Sequence, residues 1–226
     1  MCQLCGALMD KHGDHVAVCR CGGDMTRRHN RIRDTLADLL GSSGWKPDVE
    51  KNGLLPLRQE EEREEADPDH VPALGARSKR RPADVFVRDW QQRGVQNTGT
   101  AFDLAATSFM GGPNVQTDPG EDAVDSHLLK YGRQKRLHLR TEEICASQGL
   151  VYEPLVFEPH GGGWGKDVAL VIHRMARRVD AMQGGAGSRP WGVRTAEHLA
   201  QRLSVVIQIA TAQAWMRRST TLENLA

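Results

Sequence analysis

Residues that bind metal ions are concentrated at the start of the chain. Four of the five cysteines and two of the nine histidines fall within the stretch MCQLCGALMDKHGDHVAVCRC. This stretch contains a CxxC pair and an HxxxC pair, and each pair can reach one ion from a tight turn or a single helical turn. Three thiolates and one imidazole at these spacings are typical of a closed tetrahedral zinc site. The predicted ligands of this structural Zn²⁺ are Cys2, Cys5, His15 and Cys19.

The zinc prediction leaves two points open. His12 and Cys21 lie close to the four ligands in the sequence and are candidates to substitute for one of them. A few reduced cysteines without a bound metal are the alternative interpretation of the segment. A separate hypothesis is that the Cys-rich start serves a redox or metal-sensing protein. A segment this short cannot bury a core of its own, so the bound ion would supply its folding energy.

Two aspartates interrupt apolar segments that have the composition of buried strands. Asp84 lies within ADVFV at 83–87, and Asp103 lies within FDLAA at 102–106. A carboxylate in such a segment loses hydration unless a cation meets it. If the two strands are neighbours, the carboxylates can together hold Mg²⁺ or Mn²⁺, which activates water for attack on a phosphodiester. If both aspartates instead face solvent at strand ends, they need no such role.

A lysine on the following helix suits the same chemistry. The helical stripe that should face the sheet consists of Val124, Leu128, Tyr131, Lys135, His138 and Cys145. An ammonium group on that stripe requires an anionic partner or a task, and it can orient water or stabilise a phosphate under attack. We therefore predict Asp84, Asp103 and Lys135 as the catalytic residues. Further candidates for the same site are Lys130, Glu50 or Asp34 ahead of the first aspartate, and Glu158 after the fourth strand.

The elements that position these residues are predicted from hydrophobic periodicity and from glycine and proline breaks. TRRHNRIRDTLADLL is predicted as a helix that ends at Gly41. KPDVEKNGL, RPADVFVRDW and TAFDLAATSF are predicted strands. The remaining predicted elements are a helix from Ala123 to Gln148, the strand LVYEPLVFE, a helix from Lys166 to Met182 and a last helix. The order α-β-β-β-α-β-α predicts an α/β fold with a small mixed sheet flanked by helices.

These motifs, taken in order, resemble the PD-(D/E)xK superfamily of restriction-like nucleases. More narrowly, CQLC…GDHVAVC, RHNRIRD, RPADVFV, FDLAATS and YEPLVFEPHGGGWG are similar to the C-terminal tail of site-specific non-LTR retrotransposon proteins and related retroelement reading frames. The resemblance implies a CCHC zinc knuckle at 1–24 and a restriction-like endonuclease domain at 25–226, with an insertion loop at 58–80 and a linker at 183–192. Two departures stand out. Ala83 separates the proline of the motif from Asp84, and Ala105 occupies the place of its lysine, so Lys135 must supply the ammonium group.

The resemblance also implies an activity and its partners. The domain would nick target DNA with Mg²⁺ or Mn²⁺, and the nick would prime reverse transcription when a retroelement integrates. The zinc module would assist binding of DNA or RNA, a reverse transcriptase module would normally lie upstream, and the protein would act inside the cell, in the nucleus. A catalytically degenerate module that only binds nucleic acid is the alternative, because a fold does not dictate an activity.

Charge is distributed unevenly along a chain whose net charge is only +1. The run EEEREEADPD from Glu60 to Asp69 offsets several basic clusters, so the body around it would be basic, as a phosphate-binding surface requires. No stretch approaches the roughly 18 consecutive apolar residues of a membrane-spanning helix, and no membrane partner is predicted. The residues predicted to contact nucleic acid are Arg27, Arg28, Arg31, Lys79, Arg80 and Arg136.

Overall fold

A four-stranded mixed sheet forms the centre of the fold in the computed structural model, which describes residues 1–9, 13–55, 83–90, 99–108, 123–160, 163–183 and 191–223. The strands are β1 (Pro47–Val49), β2 (Val85–Val87), β3 (Gly99–Ala106) and β4 (Leu150–Phe157). They lie side by side in this order, with β1 antiparallel to β2, β2 antiparallel to β3, and β3 parallel to β4. All four predicted strands are therefore confirmed, and the fold is mixed α/β.

Six helices accompany the sheet in the described ranges. They are α1 (Asp14–Val18), α2 (Asp24–Ser42), α3 (Ala123–Leu137), α4 (Thr141–Ser147), α5 (Lys166–Met182) and α6 (Trp191–Glu223). The helix predicted from Lys166 to Met182 has these bounds in the structure. None of the described helices combines the length and apolar character that crossing a membrane requires. The predicted insertion at 58–80 lies outside the described residues, and the predicted linker ends earlier than 192, because α6 already begins at Trp191.

Each face of the sheet packs against a different set of helices because successive strand residues point to opposite sides. On one face, Phe102, Leu104 and Leu155 pack in a core with apolar residues of α2, α5 and α6. On the other face, a smaller cluster joins Phe86 and Ala101 to residues of β4 and to α4. Asp84 and Asp103 alternate with the residues of the larger core, so they belong to the second face, which α3 and α4 cover.

The prediction of one continuous helix from Ala123 to Gln148 is wrong. Helix α3 ends at Leu137, a 3₁₀ turn follows over His138–Arg140, and α4 then starts at Thr141. Leu139 and Arg140 have φ angles of 51° and 53°, the left-handed region that side chains other than glycine rarely adopt. The turn redirects the chain so that Cys145 is fully buried against β4. His138 is consequently exposed and does not share the inward stripe.

The N-terminal segment is joined to the last helix by close packing and by buried charges. Gly13 has a φ angle of 81°, and a Cβ placed there would lie 2.2 Å from Cζ2 of Trp215, so no larger residue fits. Asp24 at the start of α2 is buried and accepts hydrogen bonds from Arg217 and Arg218 near the end of α6. The N-terminal segment and the C-terminal helix therefore hold each other in place.

Candidate functional site

The four predicted zinc ligands converge at the N-terminus. The candidate ligand atoms of Cys2, Cys5, His15 and Cys19 all lie within 4.8 Å of one another. The Sγ atoms of Cys2 and Cys19 are 4.0 Å apart, and those of Cys5 and Cys19 are 3.7 Å apart. A tetrahedral ion with Zn–S bonds of about 2.3 Å separates its sulfur ligands by about 3.8 Å. The cluster thus has dimensions suited to a metal ion such as zinc.

The electrostatics of the cluster also favour a cation. Burial alone raises the pKa of the Cys2 thiol, but hydrogen bonds from the backbone of Leu4 and from His15 outweigh it and bring the pKa to about 6. For Cys5, a hydrogen bond from the backbone of Ala7 lowers the pKa. Burial and the neighbouring Cys2 and Cys19 sulfurs raise it by more, so the net pKa is raised. Competition between sulfurs for one negative charge is the situation that a bound cation relieves, since thiolates are the form that ligates metals.

The substitute ligands do not join this cluster in the described part of the chain. Cys21 lies in the 3₁₀ turn before α2 and is partly exposed. His12 lies outside the described residues. The four residues whose ligand atoms converge are therefore the CxxC and HxxxC residues predicted from spacing.

Asp84 lies immediately before β2, where it is held by two hydrogen-bond donors. Its Oδ2 accepts a bond of 2.6 Å from the backbone N–H of Leu104 and lies 3.0 Å from Nε2 of His29. Burial raises the pKa of Asp84, but His29, the N–H of Leu104 and the charge of Lys135 outweigh it, so the net pKa is lowered. The same hydrogen bond to Asp84 raises the pKa of His29 against the effect of burial. Asp84 is therefore an ionised carboxylate.

Asp103 lies in the middle of β3 and meets the predicted lysine. Nζ of Lys135 donates to both carboxylate oxygens of Asp103, at 3.0 and 2.8 Å. The hydroxyl of Tyr152 on β4 donates to Oδ2 of Asp103. Burial raises the pKa of Asp103, and although Lys135 and Tyr152 lower it, the negative charge of Asp84 adds to the rise, so the net pKa is raised.

The structure thus brings the three predicted catalytic residues together. Strands β2 and β3 are neighbours with Val85 opposite Phe102, which sets Asp84 beside Asp103 on one face. Their side chains keep 22% and 20% of their surface exposed, so solvent reaches the pair. The alternative that both aspartates face solvent at strand ends is wrong, because both carboxylates are largely buried and hydrogen-bonded, although Asp84 does lie at one end of β2.

The donor set fits a hard divalent cation. Two carboxylates on adjacent strands supply the oxygen ligands that Mg²⁺ and Mn²⁺ prefer. Burial is the main cause of the raised pKa of Asp103, and the like charge of Asp84 adds to it, a repulsion that a shared cation would remove. Asp84 and Asp103 are the residues that would hold such an ion.

Two residues of this site escaped the sequence prediction. His29 lies within the motif RHNRIRD and was not among the predicted site residues, yet it contacts Asp84 across 55 residues of sequence. Tyr152 was predicted only as a strand residue, and its phenol bonds Asp103 with its pKa raised by burial and by the Asp103 charge. The sequence shows that His29 and Tyr152 carry polar atoms, but residue spacing does not reveal that these atoms face the two carboxylates.

The further acidic and basic candidates lie in different parts of the fold. Glu50 follows β1, and its backbone N–H donates to the carbonyl of Asp84 at 2.9 Å, while its side chain pairs with Arg33. Lys130 is exposed on α3. Glu158 lies four residues past Pro154, the β4 partner of Asp103, and its carboxylate accepts from the N–H of His160. Glu158 thus lies just past the end of β4, away from the aspartate pair.

The residues predicted to contact nucleic acid are also in different environments. Arg27 and Arg31 are exposed on α2, and Arg27 pairs with Asp24. Arg28 is a correction: only 3% of it is exposed and it donates to the carbonyl of Ala17, so its guanidinium is unavailable at the surface. Arg136 contacts the carboxylates of Glu142, Glu153 and Asp167. Lys79 and Arg80 lie outside the described residues.

Comparison with known proteins yields no relative for this chain. No family model, no curated protein and no solved structure matches it. The restriction-like resemblance therefore stays an expectation, and the function is inferred from the site itself.

Proposed function

We propose that this protein is a metal-dependent DNA endonuclease that hydrolyses phosphodiesters at the Asp84–Asp103–Lys135 site. The observation that supports this proposal most is the ion pair of 2.8 Å between Lys135 and Asp103, next to Asp84 on the adjacent strand. An ammonium group beside two carboxylates is the combination that hydrolysis of a phosphodiester requires.

Each residue has a distinct role in the proposed reaction. When bound by Asp84 and Asp103, Mg²⁺ or Mn²⁺ supplies the Lewis acidity that activates water and offsets charge on the phosphate. Lys135 presents a positive charge to the phosphate oxygens or orients the attacking water. His29 fixes one oxygen of Asp84, and Tyr152 fixes one oxygen of Asp103, so both carboxylates are held in orientation.

The order of elements supports the finer fold assignment. A helix, three antiparallel strands, a helical segment and a fourth strand parallel to the third agree with the restriction-like core that the motifs imply. We infer on the same basis that the endonuclease nicks a target for retroelement integration, with a reverse transcriptase module as its upstream partner. The zinc module would assist binding of the nucleic acid, and the nucleus would be the site of action.

The proposal is tested by nicking of supercoiled plasmid with added Mg²⁺ or Mn²⁺. Asp84→Asn and Lys135→Gln should each lower the nicking rate by at least about 100-fold, the usual effect of removing a catalytic group. Lys130→Gln is the matched control, because it removes the same charge from the exposed surface of the same helix. Equal nicking by wild type and Asp84→Asn, both folded, would refute the catalytic assignment.

One observation favours a second candidate, a module that binds nucleic acid without cutting it. Both carboxylates already have a cationic neighbour within the chain, His29 for Asp84 and Lys135 for Asp103. If these pairs persist in solution, no divalent ion is needed to balance the charge. In that case DNA binding would be retained while nicking would be absent with every added metal.

A further inference from the structure

Two arginines stack on two tryptophans at the end of the sheet away from Asp84. Trp45 precedes β1 and Trp90 follows β2, and their ring centroids are 4.5 Å apart. The Cζ atom of Arg178 lies 4.4 Å from the centroid of Trp45, and that of Arg174 lies 4.6 Å from the centroid of Trp90. We call these four residues the arginine–tryptophan clamp.

The clamp holds two like charges together. Arg174 and Arg178 are four residues apart on α5 and so lie on one helical face, where like charges repel. The charge of Arg178 adds to burial in lowering the pKa of Arg174. Within the described residues, neither guanidinium lies within 4.0 Å of a carboxylate, and the one hydrogen bond that engages them runs from Arg178 to the carbonyl of Gly44 at 2.8 Å. Among the residues that the structure describes, the pair therefore has no carboxylate that would balance its charge.

Stacking leaves the guanidinium edges available. A guanidinium that lies on an aromatic ring uses its face, so its N–H donors remain in the plane of the group, where a phosphate can accept two of them. Gly44 has a φ angle of 82°, and a Cβ placed there would lie 2.8 Å from Sδ of Met182 and 3.3 Å from Nε of Arg178, so the glycine leaves room for both side chains. The arginines are thus positioned in advance rather than disordered at the surface.

We propose that the arginine–tryptophan clamp binds the phosphate backbone of duplex DNA at a distance from the cutting site. This inference rests on the proposed function for the identity of its ligand. Trp90 is six positions after Asp84, so their Cα atoms are at most about 20 Å apart. Ten base pairs of duplex measure about 34 Å, which is longer than this separation.

The proposal is tested by measuring the affinity for a labelled duplex at several salt concentrations. The duplex has about 30 base pairs and is about 100 Å long. All variants carry Asp84→Asn so that cleavage does not consume the probe. Each phosphate contact contributes about 0.9 to the slope of log affinity against log salt, so Arg174→Gln with Arg178→Gln should reduce that slope by about 1.8. Affinity at low salt should fall at least about tenfold.

Arg177→Gln is the matched control, since Arg177 is exposed on the same helix but is not stacked in the clamp. It should change the slope by less than half as much as the double variant. An unchanged slope in a folded double glutamine variant, or an equal loss with Arg177→Gln, overturns the proposal. If the glutamine variant does not fold, Arg174→Lys with Arg178→Lys keeps the charge but removes the planar fork, and wild-type affinity in that variant also overturns it.

The outcomes also separate this inference from the proposed function. Suppose that the protein with His29 and both aspartates intact never nicks DNA, yet binds DNA in a way that depends on the clamp. This result would refute the endonuclease and would support the clamp. Nicking by wild type together with normal binding by the double glutamine variant would refute the clamp alone.

Discussion

Replacing Asp24 by alanine should destabilise the whole protein, because its carboxylate is the buried anion that joins the N-terminal segment to the last helix. The Asp24 side chain is 3% exposed, and Oδ2 accepts a bond of 2.7 Å from Nη1 of Arg218, which is 2% exposed. Arg217 and Arg27 contact Oδ1 from partly exposed positions, at 2.5 and 3.0 Å. Removing the aspartate leaves the Arg218 charge buried without its anion.

The size of the effect follows from burial. Breaking a buried ion pair by removing one partner costs about 3–5 kcal/mol. The loss of a negative charge at the start of α2 adds about 0.3–1 kcal/mol, so the buried pair dominates. In a chain of this length each kcal/mol lowers Tm by about 2–4 °C, and Asp24→Ala should therefore lower Tm by about 6–20 °C.

Urea unfolding and calorimetry measure this change. Arg27→Ala is the control, since Arg27 contacts the same carboxylate with 57% of its side chain exposed, and it should cost about 0–1 kcal/mol. Asp24→Ala combined with Arg218→Met should recover part of the loss, because no buried charge is then left unpaired. A loss below about 1 kcal/mol for Asp24→Ala, or equal losses for both single variants, would contradict the reasoning.

Three further predictions concern the two candidate sites. Metal analysis should find one Zn²⁺ per chain, and chelation or Cys19→Ser should lower the temperature of a single unfolding transition, because the cluster packs against α6. Tyr152→Phe should cost about 1.5–3 kcal/mol of stability and raise the pKa of Asp103 further, because a hydrogen bond to a charged group is lost. His29 has a raised pKa in the folded state, so its pairing with Asp84 stabilises below the unfolded value of about 6.5 and is lost as pH rises through the folded value. The free energy of unfolding should thus differ more between wild type and His29→Gln at about pH 6 than at about pH 9.

Distinct results would contradict each of these predictions. A metal-free protein with a redox-active disulfide would favour the sensor interpretation of the cysteines. Wild-type stability in Tyr152→Phe would mean that its phenol does not bond Asp103 in solution. A difference for His29→Gln that is constant with pH would show that the imidazole carries no charge in the folded protein.

Local patterns were sufficient to predict much of the fold. The helix α5 was predicted from the spacing of Val168, Val171, Ile172 and Met175, because residues on one face of a helix follow its period of 3.6 residues. All four are buried in the structure. The four members of the candidate metal site followed from spacing because both pairs are local, so a turn or short helix suffices to bring their atoms together. These features depend on residues that are near one another in the sequence.

Other features depend on contacts between distant segments. No pattern indicated that Leu139 and Arg140 would adopt positive φ angles, since that break is favoured by burial of Cys145 against the sheet. Arg28 was predicted at the surface as one of several arginines on α2, yet it is buried against the carbonyl of Ala17 in the N-terminal segment. Propensity describes the chain alone and contains no information on which partner covers a given face.

The sequence by itself singled out the four candidate metal ligands, the two aspartates and the lysine, because their spacing and apolar surroundings are local properties. Only the tertiary structure decided what each group meets. The pairing of β2 with β3 sets Asp84 beside Asp103, and the packing of α3 over the sheet brings Lys135 to Asp103 and leaves Lys130 exposed. The physical reason is that a strand register and a helix orientation are chosen by burial of the whole core, which sums over contacts far apart in the chain.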